Sequence, residues 1–204
     1  MSPRYKKIFR EFFQDRKRSG LLILSLCTGI SAAGTMLGAY SVLKREMSRN
    51  YLGTNPAHVS IRSERPLPAR MAQEALRVPG VLDAEARSVL RARMKVEGEW
   101  KMLLVFVIHD FSNIRLNRFY GQSGKRVPGP GEMLVERTAK RVMKAGENSR
   151  VEIKLPRGKA TRLKITGTVH DPGLAPAWQE EAGYAYISPE TLRLLGGGPG
   201  FRRH

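Results

Sequence analysis

The sequence predicts an α+β fold: one N-terminal transmembrane helix followed by a mixed α+β extracytoplasmic domain. Three observations lead there. Leu21–Leu43 (LLILSLCTGISAAGTMLGAYSVL) runs for 23 residues without a charge, about 35 Å of helix against a hydrocarbon core of about 30 Å. Basic residues are denser before that stretch than after it. Beyond residue 50, short apolar runs of strand and helix period succeed one another, punctuated by Gly and Pro, the pattern of a domain that packs helices on a sheet.

The flanking charges set the direction. Arg4, Lys6, Lys7, Arg10, Arg16, Lys17 and Arg18 precede the apolar run, against Glu11 and Asp15, whereas Lys44, Arg45 and Arg49 follow it. The denser basic flank stays in the cytoplasm, so the chain beyond Lys44 lies outside. The resulting plan is a cytoplasmic leader over 1–20, a transmembrane helix over 21–43, a helical extension over 44–55 and the extracytoplasmic domain over 56–204. Ser, Thr and Tyr within the helix are tolerable where their hydroxyls bond the helix's own backbone. Gly29, Ala33, Gly34 and Gly38 give it a small face on which another helix can pack closely.

A cleaved signal peptide is the competing reading, with Ser31-Ala32-Ala33 as a small-x-small site. Against it, apolar character continues to Leu43. A lipid anchor on Cys27 is weaker, because Leu26 stands where a small residue is required. Cys27 is the only cysteine and lies in the apolar stretch, so the exported part has no disulfide and relies on packing.

The net charge of +18 raises nucleic-acid binding, but its distribution argues against it. Residues 1–49 hold 10 Lys and Arg against 3 acids, and residues 50–204 hold 26 against 15, scattered through the domain. No zinc-finger spacing, aromatic RNP pattern or basic helix followed by heptads is present. A basic exported domain suits anionic headgroups or an acidic partner instead.

Along the chain, Lys44–Leu52 continues the helix to about Gly53 or Asn55-Pro56. Ala57–Arg62 alternates as a strand with Val59 and Ile61 on one face. Arg65–Pro68 is a turn, and Ala69–Val78 a short amphipathic helix with Met71, Ala75, Leu76 and Val78 on its stripe, stopped by Pro79-Gly80. Ala84–Val96 and Trp100–Ile108 form a hairpin around Glu97-Gly98-Glu99; the second strand is apolar enough to be covered on both faces. Residues 111–131 are irregular. Glu132–Val135 is a strand and Arg137–Ala145 a helix, then Val151–Leu155 and Leu163–Val169 make a second hairpin around Pro156–Lys159. Tyr184–Ile187 is the last strand, and Ser188-Pro189 opens a helix that Gly196–Gly198 ends.

No catalytic constellation emerges. His109-Asp110 and His170-Asp171 are adjacent pairs that do not face one point on a strand, and His58 and His204 are isolated. HExxH, GxSxG and GK[ST] patterns are absent. The expectation is a non-enzymatic chain with no catalytic residues, no cofactor and no metal site. His170–Gly183 (HDPGLAPAWQEEAG) reads as an exposed loop, with Leu174, Trp178, Glu180 and Glu181 as partner-contact candidates. The alternative is that Trp178 folds back to plug the core.

Several segments resemble the MacB/FtsX-type ABC transporter permeases. Leu76–Val81 (LRVPGV) looks like that family's helix-to-strand turn. Phe111–Gly121 (FSNIRLNRFYG), Gly129–Thr138 (GPGEMLVERT) and Ile165–Trp178 (ITGTVHDPGLAPAW) look like a subgroup of it, and Tyr184–Leu195 (YAYISPETLRLL) looks like the close of its periplasmic core domain. The resemblance covers nearly the whole chain and implies a MacB-like periplasmic core domain over 56–204, in the cell inner membrane. Two departures stand out. Ala145–Arg150 is shorter than the corresponding loop, and the three transmembrane helices that follow the core domain in such permeases do not occur before His204. The chain therefore reads as the N-terminal part of a permease subunit.

The resemblance implies partners: the remaining permease helices, a separate ABC ATPase whose hydrolysis drives helix movement, and a second copy or an envelope protein. The alternative function is a free-standing, single-pass anchored envelope interaction protein without transport.

Overall fold

The computed structural model describes residues 16–63, 70–156 and 158–197. The chain divides into two compact units, Met1–Arg49 and Asn50–His204. Helix α1 (Arg16–Gly53) has 38 residues and buries none of them; its length and hydropathy are sufficient to cross a membrane. Two of its hydroxyls bond back one turn, as expected: Thr28 Oγ1 donates to the Leu24 carbonyl at 2.8 Å and Thr35 Oγ1 to Ser31 at 2.7 Å. The helix ends where Asn55 takes a left-handed φ of 51° before Pro56.

The second unit is built on a sheet of seven strands among the described residues. The elements are α2 (Arg70–Ala75), β1 (Ser88–Val96), β2 (Glu99–Val107), β3 (Tyr120–Gly124), β4 (Glu132–Glu136), α3 (Ala139–Met143), β5 (Arg150–Lys154), β6 (Thr161–His170), α4 (Ala177–Glu180), β7 (Ala182–Ile187) and α5 (Pro189–Leu194). The order is β3-β6-β4-β7-β2-β1-β5, and β5 also pairs with β6. Six strands therefore close into a ring, with β3 added to β6. The β2–β7 and β4–β6 pairs are parallel and the others antiparallel.

Period-two alternation explains the core. Ala92, Met94 and Val96 of β1 point inward with Leu103, Val105 and Val107 of β2, and meet Met133, Ile153, Leu163, Ile165 and Ile187. On the outer face of β4 and β7 a smaller cluster forms, in which Leu134 and Tyr186 are covered by Phe111, Ile114 and Phe119. The Tyr186 ring stacks on Phe106 at 5.1 Å and lies 4.4 Å from Phe119. The C-terminal half of β2 is thus covered on both faces, as its continuous apolar run requires.

The β1–β2 turn uses Glu97 and Gly98 at φ 51° and 90°, the two positive φ values of a tight hairpin. Gly124 and Gly167 are paired across β3 and β6. A Cβ on Gly167 would run into the Lys125 carbonyl and lie 3.0 Å from Leu134 Cδ2, so the backbones cross there only without side chains.

Several expectations are corrected. Residues 57–62 are not a strand; Val59 is 77% and Ile61 83% exposed. Two alternating residues supply too little apolar surface, and the Ala57 N–H is taken by the Asn117 side chain. α2 spans less than Ala69–Val78, and Met71, Leu76 and Val78 of its stripe are exposed. β1 starts at Ser88, because Glu85 and Arg87 instead bind the 115–117 backbone: Glu85 Oε2 accepts from Arg115 and Leu116 N–H, and Arg87 donates to the Leu116 and Asn117 carbonyls. α3 is shorter than Arg137–Ala145. Within the supposedly irregular 111–131, Tyr120–Gly124 is a strand. The leader to residue 15, the Arg65–Pro68 turn, Arg157, Gly198 and His204 lie outside the described residues.

Candidate partner-contact surface

The segment after β6 is pinned before it reaches Trp178. Asp171 Oδ1 accepts from the Gly173 N–H at 2.9 Å, closing a turn, and Asp171 Oδ2 accepts from the Tyr186 hydroxyl at 2.7 Å. Leu174 is half-buried and packs on both apolar clusters. Pro176 then opens α4. The Ala177 N–H donates to Thr138 Oγ1 at 3.0 Å, while the Thr138 N–H donates to Glu136 Oε2 at 2.6 Å and its hydroxyl bonds the same oxygen. Glu181 ends the turn at φ 49°, its N–H returning to the Ala177 carbonyl.

One helical turn thus anchors Ala177, fully buried, and leaves the next residue outside: Trp178 is 55% exposed. The core-plug alternative for Trp178 is overturned, because Ala177 and Leu174 take the inward positions. The expected exposed loop is instead a held turn with one solvent-facing side. Glu180 and Glu181 are exposed beside the indole. Together Trp178, Glu181, Met102, Val142, Lys101 and Arg141 line an open cleft of about 480 Å³, with apolar side chains and both signs of charge in its lining. Sequence reasoning named Trp178 as a contact candidate and did not name Lys101, Met102, Arg141 and Val142, which lie on other elements of the same cleft.

The histidines have local explanations. Asp110 Oδ1 accepts from the Ser112 N–H at 2.8 Å and starts the segment that covers the outer cluster, with His109 exposed. His170 Nδ1 lies 3.6 Å from Oε1 of Glu136, a carboxylate only 3% exposed, and makes no hydrogen bond. Among the described residues no three His, Cys, Asp or Glu side chains gather as a metal site would need. Burial pushes the Tyr186 hydroxyl well above the usual phenol range, and the Asp171 charge pushes in the same direction. That group stays protonated as a donor.

On α1, Gly29, Ala33, Gly34 and Gly38 fall at spacings of four and five, and a Cβ added at any of the three glycines would meet nothing within 4 Å.

No protein-family model and no curated protein matches the sequence. Among solved structures, the crystal structure of the extracellular domain of the noncanonic ABC-type transporter YknZ from Gram-positive bacteria is similar over 63% of this chain, with 14% identity and a TM-score of 0.43. The match covers 65% of that domain's length.

Proposed function

We propose that the chain is the N-terminal part of an ABC transporter permease subunit: residues 1–20 cytoplasmic, 21–43 crossing the inner membrane, 44–55 a helical extension and 56–204 a MacB-like periplasmic core domain. In this reading a partner ATPase and the remaining permease helices supply movement. The core domain passes it to cargo or an envelope partner, and the chain itself catalyses nothing. The observation that carries the proposal is α1. Leu21, Leu22, Leu24, Ile30 and Leu37 are all exposed on it, and a patch of that extent is not left facing water. The charge asymmetry and the sequence resemblance to MacB/FtsX-type permeases support the direction and the family.

The cleft at Trp178 supports the partner-contact role of Trp178, Glu180 and Glu181; Leu174 serves it from beneath, by holding the turn. A reporter that works only after export, fused behind Lys44, tests the topology. Activity of a cytoplasm-only reporter at that position overturns it, and a mature N-terminus at Gly34 replaces the anchor with a cleaved signal.

A further inference from the structure

The strand register collects cations that the sequence scatters. The outward side chains of β1 are Arg91, Arg93 and Lys95, and those of β5 are Arg150, Glu152 and Lys154. Arg93 stands directly opposite Lys154, and Arg150 opposite Lys164 of β6. Glu152 is opposite Arg162. Lys164 also faces Glu132 of β4, whose carboxyl lies 2.9 Å from Lys125 and feels both cations. None of Arg91, Arg93, Lys95, Arg150, Lys154 or Lys164 has an ion-pair partner among the described residues.

Like charges directly opposite on a sheet destabilise it. A fold that carries two such pairs draws no internal benefit from them, and the face keeps an excess of positive charge over Glu152. The neighbouring strand adds a second feature. Trp100, 39% exposed, and Met102, 48% exposed, are the cross-strand partners of Lys95 and Arg93, and Lys95 Nζ sits 5.9 Å over the Trp100 ring. Cations bordered by an exposed indole and thioether match an anionic bilayer surface, where headgroups take the charges and the interfacial zone takes the aromatic ring.

We infer that the outer face of β1 and β5, with Trp100 at its border, docks onto anionic lipid headgroups. Six residues separate Leu43 from Asn50, where the domain unit starts, so an anchored chain keeps its domain near a bilayer. The inference rests on the membrane-spanning reading of α1, and one experiment separates the two.

The full chain is reconstituted in nanodiscs of phosphatidylcholine alone or with about 30% phosphatidylglycerol, enough to give the surface a negative potential. Lysine acetylation is then read residue by residue. Lys95 and Lys154 label several-fold more slowly in the anionic discs, and the protection disappears near 0.5 M salt, where the screening length falls to about 4 Å. At Lys95 it is also lost in an Arg93→Gln, Lys154→Gln variant, whose melting temperature stays equal to or above that of the parent because a repulsive pair has gone. Equal labelling in the two discs overturns the inference. So does protection that appears only on adding polyglutamate, which would assign the face to an acidic polypeptide. Cys27, tested in the same discs with a water-soluble maleimide, reports the span: a shielded Cys27 with unprotected lysines sinks the docking surface alone, whereas a labelled Cys27 sinks the spanning reading beneath it.

Discussion

The Tyr186 hydroxyl donates a 2.7 Å hydrogen bond to Asp171, joining the centre of the outer aromatic cluster to the first turn of the segment that presents Trp178. One bond thereby ties the sheet to the candidate contact surface. Tyr186→Phe should cost about 1 kcal/mol, the net worth of such a bond, and Asp171→Ala about 2 kcal/mol, because it strands a fully buried hydroxyl. Chemical denaturation of the two variants checks the order; two neutral substitutions would mean that water replaces the bond.

Gly167→Ala should be among the most damaging small changes in the domain. Its methyl group would meet the Lys125 carbonyl and Leu134, neither of which is the free end of a flexible chain. A loss of about 3 kcal/mol, typical of overpacking in a filled core, is expected in the same assay.

Acid should unfold the domain through three carboxylates. Burial alone would raise Glu85, but the Arg87 side chain and the Leu116 N–H outweigh it and hold the group below its usual range. Hydrogen bonds from Lys125 and Gly129 lower Glu132, and those from Ser123 and Thr168 lower Glu147. Depressed carboxylates stabilise the fold above their unfolded value of about 4.3, and the contribution is lost as pH falls through the lower folded values. Melting temperature followed downward from neutral pH should drop below about pH 4.3, and less steeply in Glu85→Gln.

Trp178→Ala should leave stability within about 0.5 kcal/mol, since the indole is largely in solvent and the buried anchor is Ala177. Under the proposed permease role, transport should fall. A destabilised domain would instead return Trp178 to a packing role.

Under the proposed permease role, replacing Gly34 and Gly38 together by Leu should weaken assembly of α1 with neighbouring helices by roughly tenfold, about 1.4 kcal/mol. Open space around both positions means that the chain itself should fold unchanged. Unaltered assembly, measured by co-purification in mild detergent, removes the packing face.

What the sequence reveals and what it hides follow one physical division. Signals carried by a residue and its near neighbours are legible. Glu97-Gly98 marks the β1–β2 hairpin, and Ser188 with Pro189 marks α5, where Ser188 Oγ accepts from the Thr191 N–H at 3.2 Å. Features decided by distant partners are not. Tyr120–Gly124 (YGQSG) has no strand pattern and becomes β3 because β6 offers it an edge. Ala57–Arg62 has the pattern and finds no edge. At the candidate contact surface, Trp178 is visible as a lone large aromatic between prolines and acids. The side chains that complete its cleft come from β2 and α3, brought together only by the closed sheet.

That closure dictates when the domain can form. β7, nearly the last element in the chain, lies between β2 and β4, and its parallel pairing aligns Met102 with Ala182. Until the chain through Ile187 has been synthesised, β2 and β4 each hold out an unsatisfied ladder of amides and carbonyls. Such long-range pairing is slow to assemble and exposed to wrong partners meanwhile. A chain stalled before Ala182 would therefore be a target for chaperones and proteases, and the insertion of β7 between β2 and β4 is the event that commits the domain to its native state.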